Sequence, residues 1–431
     1  MKKAIIILTI VALIAPMALF AQGSKEASGP ITIKFWTHED VNRNPLELQY
    51  IAEFEAANPN VKVEYTTQAS GKMADIVQTA FAANQGPTIF NLPISDEYAY
   101  IVNGRVAPVD AKAAGYADYQ AIKSAYVDGT LDSVTVDGKI YGLPLELTNW
   151  AILLNKGIFR DAGLDPDKDY PKTWEDMVAV SEKIIQRDGD IITRRGFDFR
   201  YGYYLEWLVP MVEQLGGKLI SDDGKTAIVG DDAWLKVLTF MQQWGPNGKN
   251  LGSSTYTAAR KLFNKNNGDI AMALTGYYQT ARIAEENPEF YASGDLMVIP
   301  FPQFKDAVKE VANCYYGHFY MVNAQASKAE QEAAWKLIGY LLSHGDEYLD
   351  KAALPQPTKK LFESPEYKAK PYTDVFSADM EKAHIMYYSE NSAEMQKLLK
   401  SAVESVMLSG VSPEKALATL KASAQELIDE N

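Results

Sequence analysis

The segment ITIKFWTHED, residues 31–40, begins the part of the sequence that decides the fold. Apolar and polar residues alternate over 31–35, which predicts a β-strand that ends at polar side chains. Apolar residues then recur every third position from Leu48 to Phe54 and predict a helix that ends before Pro59. The order repeats downstream, with a strand over 61–65, a helix over about 71–83 and a strand over 88–90. Alternating strands and helices are typical of an α/β domain with a parallel sheet.

Length and composition indicate a globular protein with two domains. The chain has 431 residues, and single hydrophobic cores stop growing at roughly 250–300 residues. Hydrophobic residues make up 47% and charged residues 23%, which is close to the globular average. The formal net charge of −14 argues against nucleic-acid binding, because such proteins neutralise phosphates with clustered basic residues.

The N-terminal residues have the order of a secretory signal peptide. Lys2 and Lys3 precede an apolar run over 4–20, which ends at the small residue Ala21. We expect a signal peptide over 1–21 and a flexible leader over 22–29; an uncleaved membrane anchor is the alternative. Gln22 stands where a lipidated cysteine would be, which predicts a periplasmic protein without a lipid anchor. The single cysteine, Cys314, has no internal disulfide partner and is expected to be a buried apolar residue.

Four motifs in the middle of the chain resemble, in order and spacing, the family 1 extracellular solute-binding proteins, a mostly carbohydrate-binding group that includes the maltose-binding proteins. They are GKIYGLP at 138–144, LLNKGIF at 153–159, AGL at 162–164 and PKTWED at 171–176. Leu154 departs from the pattern, since the family usually has a tyrosine there. Weaker similarity continues towards the C-terminus, over 267–278, 298–302, 316–323 and 333–338.

The resemblance implies an α/β, two-lobed periplasmic-binding-protein-like fold, each lobe being a mostly parallel sheet flanked by helices. The chain would cross between lobes near 145–149, 314–317 and 367–373. One lobe would comprise 30–145 and 317–368, and the other 146–316 and 369–431. The implied function is the substrate-binding component of an ABC importer. Such a protein captures a carbohydrate-like solute by hinge closure and delivers it to the membrane permease; we expect a monomer that is not an enzyme.

Polar and aromatic residues at strand ends are the first candidates for ligand contacts. Ligands of open α/β sheets bind beyond the carboxyl ends of the strands, and sugars are bound by aromatic faces together with carboxylates and amides. Candidates of this kind are Trp36, His38, Glu39 and Asp40 after the first strand, Ser70 near a helix start and Asn91 after the third strand. The alternatives are a core role for Trp36, helix capping for Glu39, Asp40 and Ser70, and a turn for Asn91.

The resemblance adds candidates from the crossings and from the second lobe. Glu146 and Asn149 lie in the first crossing and Tyr316 in the second, whereas Tyr277 and Tyr278 stand where the family places a stacking aromatic residue. Trp207 belongs to an aromatic cluster and is a weaker candidate, since core packing is the favoured alternative. Arg43 could pair with an acidic ligand group, but the favoured interpretation is a solvated surface arginine.

Several kinds of catalytic and metal site have no motif in this sequence. There is no phosphate-binding loop and no nucleophile elbow. The four histidines, His38, His318, His344 and His384, are too scattered for a His-x-x-x-His metal pair, so we predict no metal and no cofactor. A glycoside hydrolase with paired carboxylates remains the enzymatic alternative. An adhesin-like surface protein is a third possibility.

Overall fold

The computed structural model describes residues 29–199, 202–253, 256, 258–313, 316–384 and 389–430. The predicted signal peptide, the leader up to residue 28 and Cys314 lie outside the described residues. The strands are β1 (Ile31–His38), β2 (Val61–Gln68), β3 (Ile89–Pro93), β4 (Val106–Ala107), β5 (Thr135–Val136), β6 (Lys139–Ile140), β7 (Leu143–Thr148), β8 (Ala151–Asn155), β9 (Gln186–Asp188), β10 (Ile191–Asp198), β11 (Ile270–Thr275), β12 (Leu296–Ile299) and β13 (Tyr316–Asn323).

Helices occupy most of the remaining described chain. They are α1 (Arg43–Ala57), α2 (Met73–Ala82), α3 (Ile94–Val102), α4 (Tyr119–Ala125), α5 (Lys156–Asp161), α6 (Trp174–Ile184), α7 (Tyr204–Gln214), α8 (Asp232–Trp244), α9 (Ala259–Lys265), α10 (Gln279–Glu286), α11 (Pro288–Ala292), α12 (Lys328–Leu342), α13 (Gly345–Ala352), α14 (Lys359–Glu363), α15 (Pro365–Lys368), α16 (Thr373–Met380), α17 (Ser392–Met407) and α18 (Pro413–Asp429). Single 3₁₀ turns are formed by Ser70–Lys72 and Asp132–Val134.

Two large sheets organise the fold. The six-stranded sheet has the order β2-β1-β3-β13-β4, and β7 also pairs with β13. The five-stranded sheet has the order β12-β8-β11-β10-β9, and β5 pairs with β6 in a small hairpin. The predicted strand–helix–strand pattern is confirmed in the first sheet, where β1 pairs in parallel with both β2 and β3.

The expectation of mostly parallel sheets is wrong in detail, because both sheets are mixed. Strand β13 is antiparallel to β3, β4 and β7. In the second sheet β8 is antiparallel to β11 and β12, while β10 and β11 form a parallel pair. Two parallel strands that follow each other within one lobe need a long crossover connection between them. Strand β13 enters its sheet from the other sheet and needs no such connection, so it can run antiparallel to its neighbours.

Helix starts follow the capping chemistry read from the sequence. Thr173 and Asp176 form a reciprocal capping box at α6. Ser412 caps α18 and Pro413 occupies its first turn. The apolar stripe Ala334, Leu337, Ile338, Leu341 of α12 is buried, and this helix packs on the six-stranded sheet.

Strand β8 is buried on both faces and separates two hydrophobic cores. Trp150, Ile152 and Leu154 face a large core that includes α6, α7, α8 and α17. Ala151 and Leu153 face the opposite way, because successive side chains of a strand alternate. A third core covers the six-stranded sheet. The strand is therefore an uninterrupted apolar run rather than an alternating one.

The chain passes between the two sheets at two closely packed places. It leaves β7 at Thr148 and enters β8 at Ala151, and it returns at the start of β13. Gly317 of β13 lies so near β7 that a Cβ atom there would be 2.3 Å from the carbonyl oxygen of Glu146. Only glycine fits this approach.

The last lobe-to-lobe passage lies in the helical segment after α12. Leu354 packs in the core of the six-stranded sheet, whereas Leu361 and Tyr367 pack with Leu153 on the five-stranded sheet. The sequence-based division assigns Leu361 and Tyr367 to the first lobe and stays a prediction.

Candidate functional site

Strand β1 extends to His38, so Trp36, Thr37 and His38 lie inside the strand rather than after it. Trp36 is half-buried and Glu39 is exposed. His38 is buried, and its backbone N–H donates to the Asn91 side chain at 3.2 Å. The carboxyl ends of β1 and β3 therefore meet, as expected for neighbouring parallel strands.

Arg43 is fully buried, which corrects the expectation of a solvated surface arginine. Its guanidinium Nη2 donates to Thr37 Oγ1 at 3.0 Å and also to the carbonyl oxygen of His38. Its Nε lies 3.3 Å from Glu47 Oε1, one turn further along α1. Burial alone would lower the pKa of Arg43, but the Glu47 carboxylate raises it above its usual value. The buried pair stays ionised because each charge has its partner.

The Glu47 carboxylate connects α1 to two strands of the first sheet. The hydroxyls of Tyr65 on β2 and Tyr320 on β13 both donate to it. Asn44 also donates to it, at 3.2 Å. Burial and the Glu47 carboxylate raise the pKa of both tyrosine hydroxyls, which therefore act as donors at neutral pH. This network holds the first helix against the end of β1.

His38, His318 and Glu146 form a buried cluster where β1, β13 and β7 meet. The two imidazole rings stack with centroids 4.0 Å apart and an interplanar angle of 29°. His318 Nδ1 lies 3.0 Å from Glu146 Oε1. Burial, together with the charge of Arg43, lowers the pKa of His38 well below its usual value and keeps the ring neutral. The structure thus brings together three predicted site positions, His38, Asn91 and Glu146.

The cluster has the residue types of a metal site but not the arrangement. The ligand atoms of the three residues lie within 4.8 Å of one another, and two histidines with a glutamate can bind zinc. The lone pair of an imidazole nitrogen lies in the plane of its ring, however. Because the two rings are stacked, their lone pairs lie in nearly parallel planes and do not converge on one ion. The Arg43 guanidinium also lies 3.0 Å from His38 Nε2. The geometry favours a pair of packed rings, although the sequence had indicated only scattered histidines.

Asp40 joins the end of β1 to the other half of the molecule. Its Oδ1 accepts from the backbone N–H groups of Asn42 and Arg43, at 3.0 and 2.9 Å, as the capping alternative predicted. Its Oδ2 accepts from Arg282 of α10, the helix that follows β11 of the second sheet. Burial would raise the pKa of Asp40, but Arg282 and Arg43 lower it. The Arg282 guanidinium in turn lies 4.6 Å from the ring centroid of Tyr278.

A cavity of about 580 Å³ lies between elements of both sheets. Ser70 lines it, together with residues from α2, α3 and the loop before β4. The facing wall is formed by Tyr203 and by the first turns of α17. This volume is within the range of small-molecule sites, roughly 300–1,000 Å³. Its described lining comprises Ser70, Gly71, Ala74, Asp75, Gln78, Pro93, Ser95, Asp96, Ala99, Tyr100, Asn103, Arg105, Gly202, Tyr203, Glu390, Ala393, Glu394, Gln396 and Lys397.

The other predicted site residues have structural partners. Trp207 is buried and stacks on Phe199 at 4.7 Å, as its core alternative predicted. Tyr277 packs against Phe376 with centroids 5.5 Å apart. Asn149 donates to the carbonyl oxygen of Phe376 at 3.0 Å. Tyr316 begins β13, where its backbone pairs with Thr148.

Arg282, Asp96 and the first turns of α17 were missed by the sequence reasoning. Asp96 could have been found, because it follows β3 by three residues at the carboxyl edge already expected to bind ligand. Arg282 lies one turn after the predicted aromatic Tyr278. The α17 residues carry no motif, since only the tertiary fold brings this late helix to the cavity.

In the described part of the chain, no helix combines the length and apolar character that crossing a membrane requires.

A known protein family and individual known proteins resemble this chain in sequence. A family model described as bacterial extracellular solute-binding protein matches residues 49–373. A lactose-binding protein of Rhizobium radiobacter is 23% identical over 332 residues, which cover 75% of this chain and 72% of that protein.

Solved structures of solute-binding proteins superpose on nearly the whole chain. An ABC transporter solute-binding protein of Thermotoga lettingae TMO, bound with alpha-D-tagatose, has a TM-score of 0.80 at 19% identity, covering 92% of this chain and 100% of that one. The maltose/maltodextrin-binding domain of Bdellovibrio bacteriovorus, bound to maltotriose, has a TM-score of 0.79 at 20% identity, covering 93% and 100%. The likeness confirms the two-lobed α/β fold. Because the family match spans most of the sequence, the chain belongs to the bacterial extracellular solute-binding protein family.

Proposed function

We propose that this protein is the substrate-binding component of an ABC importer and captures a carbohydrate-like solute between its lobes. The observation that carries the proposal is the cavity lined by α3 on one side and by α17 on the other. A solute there would touch both halves of the molecule. Relatives whose names specify lactose or arabinooligosaccharide binding support the carbohydrate class.

The mechanism we propose is closure of two lobes around the solute. A ligand shifts an equilibrium between open and closed states only through contacts that differ between the two states. Residues on facing walls provide such contacts, because both walls can touch the ligand only after closure. We propose lobes of 30–145 with 317–368 and 146–316 with 369–431, and packing of Leu361 and Tyr367 on the second sheet favours an earlier third crossing.

The location we propose is the periplasm, reached by means of the signal peptide over 1–21, with no lipid anchor because Gln22 replaces the lipidated cysteine. The loaded, closed form would dock on the permease subunits as a monomer. We propose no catalytic role; the family described by the match consists of binding proteins.

The residues proposed to contact the solute are those at the cavity and at the adjoining strand ends. Ser70 lines the cavity directly. His38, Asn91 and Glu146 support the strand ends from beneath, since all three are buried and bonded to one another or to His318. The other candidates for solute contacts remain predictions from the sequence. They are Trp36, Glu39, Asp40, Asn149, Trp207, Tyr277, Tyr278 and Tyr316.

A thermal-shift screen against a panel of mono-, di- and oligosaccharides, polyols and sugar acids tests this function. A ligand at 100 times its dissociation constant adds about 2.7 kcal/mol to the free energy of unfolding. We expect at least one panel member to raise the melting temperature, with one-site binding by calorimetry. Failure of the whole panel would argue against carbohydrate binding. Release of cleavage products from the ligand that binds most tightly would instead indicate that the protein is a glycoside hydrolase.

A further inference from the structure

The charged side chains that line the cavity are mostly acidic. Asp75 and Asp96 stand in the first turns of α2 and α3, on one wall. Glu390 and Glu394 stand just before and within the first turn of α17, on the other. Carboxylates therefore face the enclosed space from both lobes.

The described lining has only two basic residues, and one of them, Lys397, pairs with the cavity carboxylate Glu394. Lys397 Nζ lies 3.4 Å from Glu394 Oε1 on the same helix, and its side chain is 75% exposed. The Arg105 guanidinium lies 5.9 Å from the ring centroid of Phe81, a core residue. Neither reaches Asp96 within salt-bridge distance among the described residues.

Asp96 is the most confined of these carboxyls. Burial, followed by the charges of Glu206, Glu394 and Asp75, raises its pKa to about 7. Glu206 is itself buried and accepts from Gln396 Nε2 at 2.9 Å, which fixes it beside the cavity wall. Like charges held together in a confined space are unfavourable unless a cation joins them.

Ser95, next to Asp96, is a second polar group directed at the same space. It lines the cavity although only 8% of its surface is exposed. No hydrogen bond from its hydroxyl to the protein is found among the described residues, so the hydroxyl can bond to a solute in the cavity. A hydrogen-bonding ligand group would satisfy it.

We propose that the solute of this cavity is a polyhydroxylated amine, such as an amino sugar, whose ammonium group lies between Asp96 and Glu394. The inference rests on the proposed function and narrows its ligand class. An ammonium donates charge-assisted hydrogen bonds to the carboxylates, and its hydroxyls suit Ser95. A neutral sugar would bring no positive charge to Asp96 when closure expels water, and a sugar acid would add to the repulsion between the acidic residues.

Matched sets of ligands, in which an amine replaces a neutral hydroxyl or acetamido group on the same sugar, test the proposal. The probes are glucosamine, N-acetylglucosamine and glucose, the corresponding galactose and mannose sets, and the chitosan disaccharide with its diacetylated form. Calorimetry on the full chain at pH 7, where the amino sugars are still largely protonated and the Asp96 carboxyl is partly ionised, gives each dissociation constant. We expect the amine of at least one set to bind about tenfold more tightly than its neutral counterparts, and added salt to reduce this preference.

A substitution identifies the group responsible. Asp96→Asn should weaken binding of the amine more than that of the neutral members and so remove the amine preference, and the control Asp222→Asn, whose side chain is 90% exposed, should keep it. Equal or tighter binding of the neutral member in every set that binds overturns the amine proposal and leaves carbohydrate capture intact. An amine preference that survives in Asp96→Asn also overturns it. Absence of binding by every sugar and amine argues against both proposals.

Discussion

Arg43 is the residue on which the end of β1 depends most strongly. We predict that Arg43→Met lowers the free energy of unfolding by about 3–5 kcal/mol, because the buried Glu47 carboxylate loses its partner. Chemical denaturation of the variant and the parent protein measures the difference.

A matched pair of variants separates loss of charge from loss of packing. Arg43→Met combined with Glu47→Gln should recover part of the stability, since no buried charge then remains unpaired. Lys351→Ala, which breaks an exposed pair with Glu347, should cost less than about 1 kcal/mol. If Arg43→Met costs no more than Lys351→Ala, the buried pair does not have the role assigned to it.

Asp96 makes stability depend on pH in a predictable direction. Its folded-state pKa of about 7 lies above the roughly 3.9 of an unfolded aspartate. The folded protein therefore holds a proton that the unfolded chain has released, and stability is lost as pH rises from about 4 through 7. We predict that Asp96→Asn melts higher than the parent protein at pH 8, with little difference at pH 4. A difference independent of pH, in thermal melts alongside Asp222→Asn, would contradict this.

At the residue scale, the sequence predicts where a side chain lies in the fold better than it predicts which other side chain it contacts. The strand-end rule placed His38 and Asn91 at one edge of a sheet, and they are hydrogen-bonded there. It could not supply Arg282, which is 242 residues from Asp40 in sequence. Such pairs depend on how two separately built sheets come together, and no local pattern encodes that.

The capping box of α6 makes a prediction at the scale of one element. Thr173 Oγ1 accepts from the Asp176 backbone N–H at 3.0 Å, satisfying a donor that the helix cannot. Thr173→Ala should reduce the free energy of unfolding by about 1 kcal/mol. Thr419→Ala, at an exposed position inside α18, is the control and should be neutral or slightly stabilising. Equal effects of the two changes in urea titrations would refute a capping role.

Elements were predictable where their signals are local. Alternation gave the start of β1, and Thr173 with Asp176 gave the start of α6. The end of β1 was placed too early, because Trp36, Thr37 and His38 are not an alternating set: two of the three are buried. Strand direction was not predictable for β13, since it depends on the route by which the chain enters the sheet.

Whole-molecule behaviour depends on the Asp40–Arg282 bridge between the two halves. A charge-assisted hydrogen bond is worth about 1.5–3 kcal/mol, so Arg282→Gln should shift the unliganded population towards open forms by at least about tenfold. Small-angle X-ray scattering should then give a larger radius of gyration without ligand. Arg160→Gln, which breaks an exposed pair with Asp295, is the control. An unchanged radius of gyration in Arg282→Gln would show that the bridge does not hold the halves together.

At this scale the two-lobed architecture was predictable only through the resemblance around 138–176. No linker marks the division, because the chain passes between the sheets within a few ordered residues. The last passage was harder to place, since Leu361 and Tyr367 lie in short helices whose apolar residues suit either core.

The pairing of β7 with β13 has a mechanical consequence. The two strands that leave the six-stranded sheet for the other half are hydrogen-bonded to each other up to Thr148 and Tyr316. Ladder bonds oppose sliding and stretching in the plane of such a ribbon, whereas bending out of that plane leaves them intact. The paired strands therefore resist sliding and stretching in their plane and bend most easily out of it. Two halves joined in this way can move relative to each other in few directions. We therefore expect every opening and closing of the molecule to follow nearly the same path.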